Sequence, residues 1–125
     1  MQQLQFEASW DKALAAEDRQ TIEKIFNETK DINRVNILFS PLREAINHKG
    51  ELLVTVLVHN FTDHQLDFTN TKLVYSIHGE VIAENIFTLR ALSIPAFTSM
   101  PWTFIFPEGS YKPLTSFENG RIEIG

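Results

Sequence analysis

Residues 51–60 read ELLVTVLVHN, and their alternation decides the fold. Side chains of a β-strand point to opposite faces in turn. Leu52, Val54, Val56 and Val58 therefore share one side, and Leu53, Thr55, Leu57 and His59 the other. Both sides are largely apolar, which places this strand at the centre of a sheet covered on both faces.

The chain beyond it keeps the same period. Residues 61–65, FTDHQ, read as a turn, 66–68 as a short strand and 69–89 as a hairpin. The hairpin turns at His78-Gly79-Glu80, where glycine supplies the positive φ. Leu73, Tyr75 and Ile77 share one face of its first arm. Pro95 and Pro101 bracket a connection into WTFIF at 102–106, with Pro101 expected at the strand start, where a missing N–H harms no ladder bond. Trp102, Phe104 and Phe106 then form an aromatic core face, with Thr103 and Ile105 opposite. Asn119-Gly120 reads as a last hairpin turn, leading into Arg121-Ile122-Glu123-Ile124 with both isoleucines inward.

Before residue 31 the spacing is helical. Ile22, Ile25, Phe26 and Thr29 fall at i, i+3, i+4 and i+7, and Trp10 and Leu14 are four apart. No glycine or proline precedes Pro41. One or two amphipathic helices are expected over 8–29, with Asp18 as the cap of the main one and Glu17 and Asp18 favoured at its positive end. Their apolar stripe must cover one face of the sheets or their open end. The fold class expected is mainly β with α+β content: an immunoglobulin-like antiparallel β-sandwich of six or seven strands, with the helices packed on it. At 125 residues this is a single domain over 1–125, a helical lead-in at 8–29 and the sandwich at 31–125.

Composition excludes several functions. With 43% hydrophobic residues the chain can hold a core without staples, and it has no cysteine for a disulfide, thiolate metal site or thiol nucleophile. A net charge of −5 with eleven scattered basic residues argues against nucleic acid and against an anionic membrane surface. The N-terminal residues lack a signal peptide's basic and apolar regions, and no segment has the length of a transmembrane span. With Met1 as the start, the expected location is the cytoplasm.

No motif announces chemistry. His59 and His64 flank a turn that also holds Asp63 and Asp67, but the spacing fits no metal motif, so no metal and no cofactor are expected. The serines sit in no G-x-S-x-G context, and the five glycines form no phosphate-cradling loop. Neighbouring carboxylates such as Glu17 and Asp18 read as a helix start rather than a catalytic pair. Asn27-Glu28-Thr29 and Asn60-Phe61-Thr62 match the glycosylation sequon, a pattern frequent by chance. The expectation is no catalytic residue and no enzyme.

Three stretches carry a resemblance: ELLVTVLVHNFTDHQLDF, then KLVYSIHGEVIAENIFTL, then IPAFTSMPWTFIFP. Together they resemble the SLAP domain of Bacillus-type Firmicutes, a domain duplicated in the accessory Sec system S-layer assembly protein. The family's pattern is met at Leu53 to Asn60, His78 to Ala83, Phe87, Ile94-Pro95 and Pro101 to Pro107, with Trp10 in the helical lead-in. Where the family has an LPPLK-like stretch, this chain has Ser40-Pro41-Leu42-Arg43. The resemblance implies a link to protein export and to envelope or S-layer biogenesis, and it transfers no catalytic residue.

The expected function is therefore a non-enzymatic protein-interaction module. It would bind a protein of unknown identity by edge-strand pairing or through an apolar groove at the helix–sheet junction. Trp10, Phe61 and Phe97 are the candidate contacts, being aromatic residues placed outside mid-strand positions; each competes with a role as a peripheral core contact. The alternatives are a self-associating homodimer, through a sheet edge or the helix, and an enzyme of unrecognised type.

Overall fold

The computed structural model describes residues 1–113 and 120–125. The elements in chain order are β1 (Gln3–Leu4), α1 (Ala8–Ala13), α2 (Ala16–Thr29), β2 (Ile37–Ile46), β3 (Leu52–Asn60), β4 (Leu66–Ile77), β5 (Glu80–Ile94), β6 (Thr98–Phe106) and β7 (Gly120–Ile124). Two sheets form, one in the order β1-β6-β3-β2 and the other β5-β4-β7. The α+β sandwich expected from the pattern is the observed fold, with β3 central in the larger sheet.

The core lies between the sheets. Leu52, Val54, Val56 and Val58 of β3 are all buried, as their two-residue period demands. Register places them beside Phe106, Phe104, Trp102 and Met100 of β6. Phe104 is fully enclosed, with Phe39, Phe68 and Phe87 around it at centroid distances of 6.1, 5.7 and 5.4 Å. Two of these pairs meet edge to face, the arrangement that ring quadrupoles favour. Trp102 is half-buried, packs against this core and also stacks on Trp10.

The helices cover the outer face of the larger sheet, α2 lying on β2 and β3. Ile22 is its buried anchor. The helical stretch breaks at Leu14 and Ala15, giving two helices. Asp18 does not cap α2: the N-cap is Ala15, without a side-chain cap, and Asp18 lies within the first turn. There its charge still meets the positive helix end. In α1 the Glu7 side chain caps by accepting from the Ser9 N–H, and donation by the Ser9 hydroxyl, then by that N–H, holds its carboxyl below the ordinary range.

Four details depart from the sequence pattern. β4 is one strand rather than two, because Asn70 takes a left-handed φ of 47° at a register irregularity and its N–H is held by the Thr88 hydroxyl at 3.0 Å. β7 makes no hairpin with β6; it crosses to the other sheet and pairs with β4. Of its two isoleucines, Ile122 is buried and Ile124 is about half exposed. Asn119 of the expected last turn lies outside the described residues.

Pro101 supplies the fourth, standing inside β6 and not at its start. Gln3 and Gln5 N–H groups donate to Phe97 and Ser99 carbonyls, so alternate residues of β6 face β1. Pro101, next in that series, has no N–H to give. Its position explains why β1 pairs for only two residues. The turn at His78-Gly79 is as expected, both residues having positive φ (50° and 81°), the geometry of a type I′ hairpin.

Candidate functional site

Three places on this scaffold merit attention: a buried polar chain, the aromatic candidates, and an open cleft between sheet edges.

The polar chain sits where α2 ends over the larger sheet. His59 and Ser99 are paired across β3 and β6 and are fully buried. His59 Nδ1 lies 2.6 Å from Ser99 Oγ, and Nε2 lies 2.8 Å from Thr29 Oγ1. The Thr29 hydroxyl donates its single proton to Ile25 O at 2.6 Å, so it accepts from Nε2–H. Nδ1 must then accept from the Ser99 hydroxyl. Ser99 Oγ also accepts from Gln2 Nε2 at 3.0 Å, and Gln2 donates again to Asn60 O.

Burial drives the His59 pKa down to about 4, because charging an imidazole away from water is costly. The hydrogen bonds act the same way: a proton on Nδ1 would face the Ser99 hydroxyl proton. Phe61 stacks on the imidazole at 5.1 Å, 6° from parallel, and Phe26 lies at 6.4 Å. The result is a neutral bridge joining α2, β3 and β6 to Gln2, the residue before β1. It has a Ser–His pair's contacts but no carboxylate orienting the ring and no exposed hydroxyl.

Sequence gave no hint of this pair, since its members are 40 residues apart. Next to it, the buried Asn60 amide donates to the His64, Ile94 and Pro95 carbonyls, and its oxygen accepts from Thr62. The sequon asparagine is thus a buried loop organiser. His64 faces outward to Asp63, and among the described residues no three His, Asp or Glu side chains gather as a metal group.

The aromatic candidates fall in two places. Trp10, half-buried on α1, stacks on Trp102 at 6.3 Å. It also walls a small cavity of about 190 Å³ at the helix–sheet junction, with Leu14, Ile22, Leu42, Thr55 and Thr103. Phe61 and Phe97 sit in adjoining loops, joined by the Phe97 N–H donating to Thr62 O at 3.0 Å. Phe61 is spent on His59. Phe97 stays 44% exposed, at a left-handed φ of 52°, a strained setting for a bulky side chain.

The cleft opens between β2, an edge of the larger sheet, and β7, an edge of the smaller one. It is about 610 Å³ in volume, and Val35, Ile37, Phe39, Ile122 and Ile124 give it apolar walls. β2 is poorly suited to add a strand, because it carries Pro41 and a register shift between Pro41 and Arg43, two devices that blunt an edge. β7 has neither. At its start, Gly120 leaves room for the Tyr75 ring, which any Cβ there would overlap. Burial and the Glu44 charge push the Tyr75 phenol pKa upward, so it stays neutral.

Fold and cleft together define a helix-capped β-sandwich with the β7 edge beside an apolar opening. The SLAP domain family model matches residues 4–120, and the chain belongs to that family. No curated protein and no solved structure matches it. Among the described residues, no helix is long and apolar enough to cross a membrane.

Proposed function

We propose that this SLAP domain is a non-enzymatic protein-interaction module that takes an extended segment of a protein partner by strand addition to β7. The observation that carries the reading is the β2–β7 cleft. A strand laid along β7 gains backbone hydrogen bonds from the edge, and its alternate side chains enter the opening. Phe97 is the aromatic candidate with a ring free to make a further contact; Trp10 and Phe61 serve chiefly the sandwich. The proposed setting is protein export or envelope and S-layer assembly, which rests on the family resemblance; the cytoplasm is proposed from the sequence reading of the N-terminal residues. An enzyme reading has the Ser99–His59 pair in its favour, but the burial of both side chains supports a structural role.

Affinity capture from a lysate of the source organism tests the module. Gly125 N–H donates to Lys72 O on β4, and the alternation of an antiparallel ladder turns the Ile124 N–H outward. Ile124→Pro therefore removes an edge donor without touching the β4 pairing. The wild-type chain should retain a partner that Ile124→Pro loses at unchanged melting temperature. A partner retained by both, or none captured by the wild type, overturns the proposal.

A further inference from the structure

The β7 edge has a sequence that fits itself. The register on β4 runs from Leu73↔Ile124 to Ile77↔Gly120. With Gly125 bonded to Lys72, the ladder's alternation aims Arg121 and Glu123 backbone groups at β4 and those of Gly120, Ile122 and Ile124 outward. Among the described residues no strand pairs with that side. The side chains divide the other way. Ile122 is 4% exposed and faces the core, while Arg121 and Glu123 lie on the solvent face with side chains 75% and 60% exposed.

Consider a second β7 laid antiparallel against this edge. Inward residues must meet inward residues, so the two-fold axis can pass only through a residue of the strand or at an equivalent spacing of two. An axis at Arg121 sets arginine against arginine, and one at Glu123 sets glutamate against glutamate. An axis at Ile122 sets Arg121 of each copy against Glu123 of the other, twice over. It also places Ile124, half exposed in one copy, opposite Gly120 of the second, beside the Tyr75 ring that lies over that glycine. The outward backbone groups of Ile122 then bond to their own symmetry mates. Within one copy Arg121 and Glu123 pair with each other along the strand, at 3.5 Å.

We infer that the partner fitting this edge is a second copy of the chain, paired antiparallel about Ile122 into one six-stranded sheet, β5-β4-β7-β7-β4-β5. The inference rests on the reading of β7 as the strand-adding edge and specifies its occupant. The contact is isologous, as a two-fold requires. It is also small, so association is weak and concentration-dependent.

Sedimentation velocity on the 125-residue chain, over a concentration series reaching millimolar, reads it. The wild type should pass from monomer to dimer. R121E and E123R each replace two attractive cross-strand pairs by two repulsive ones and should weaken the dimer roughly tenfold or more. An equimolar mixture of the two variants restores both attractions and should dimerise, as should the R121E/E123R double variant alone. Both positions are exposed, so equal melting temperatures verify folding. A wild type that stays monomeric overturns the inference, as does a dimer that neither reversal moves or a mixture that stays monomeric. A monomeric chain that still loses its lysate partner on Ile124→Pro overturns the second copy but leaves the edge reading standing. Loss of both results removes the edge reading as well.

Discussion

The neutral His59 bridge makes the fold acid-sensitive in a defined window. In the unfolded chain an imidazole takes its proton near the ordinary value of 6.5, whereas the folded protein holds His59 to about 4. Between these values the unfolded state binds more protons, so stability falls as pH falls. Above about pH 6.5 neither state is protonated and the full contribution is present; below about pH 4 both are and the loss ends. The difference is worth about 3 kcal/mol, with a slope approaching 1.4 kcal/mol per pH unit inside the window. That is a large fraction of the stability of an ordinary domain. Urea unfolding from about pH 7.5 to pH 4, on wild type and His59→Gln, isolates the effect from carboxylate titration. The wild-type minus variant difference should shrink across the window, and the His59 ring should keep its neutral NMR shifts down to about pH 5. A difference curve flat between pH 7 and pH 4.5, or a ring that titrates near 6.5, would refute the reasoning.

Three further outcomes follow from packing. Phe104→Ala removes the ring at the centre of the Phe39, Phe68 and Phe87 group and should lower stability by about 3–5 kcal/mol in urea titration. A near-neutral change would mean that the aromatic face is not the core. Gly120→Ala drives a methyl into the Tyr75 ring and should cost about 1–3 kcal/mol; an unchanged melting curve contradicts that contact. Phe97→Asn places a residue tolerant of left-handed φ where the phenyl is strained, and should raise thermal stability slightly. Destabilisation would show that the ring packs on the fold.

How far the sequence spoke depends on how local each signal was. ELLVTVLVHN revealed its place because an apolar period of two on both faces has one structural solution, a covered central strand. WTFIF was nearly as clear: Phe104 and Phe106 are buried and Trp102 packs on the same core, where Trp10 comes from another element to meet its ring. The sequence reading divided β4 after residue 68; the structure has a register irregularity there with Asn70 at positive φ, and the ladder resumes past it because a bulge interrupts a strand without ending it. β1, two residues long, has no period to detect. The candidate sites were harder, since both depend on what lies across the fold. The partners of His59 come from a helix end and a strand far along the chain, and an N-terminal glutamine holds the second of them. The alternation of RIEI was plain, but whether its second edge is open is decided by pairing with β4 rather than β6.

The claim that β7 is an edge built to receive a strand is tested most directly by residue-resolved amide hydrogen exchange. In dilute protein the Arg121, Glu123 and Gly125 amides, directed at β4, should exchange slowly, and those of Ile122 and Ile124 fast. On raising the concentration, or on adding the captured partner, protection should spread to Ile122 and Ile124 and leave the β5 edge unchanged. Ile122 and Ile124 amides that remain fast at every concentration, with and without partner, contradict the account.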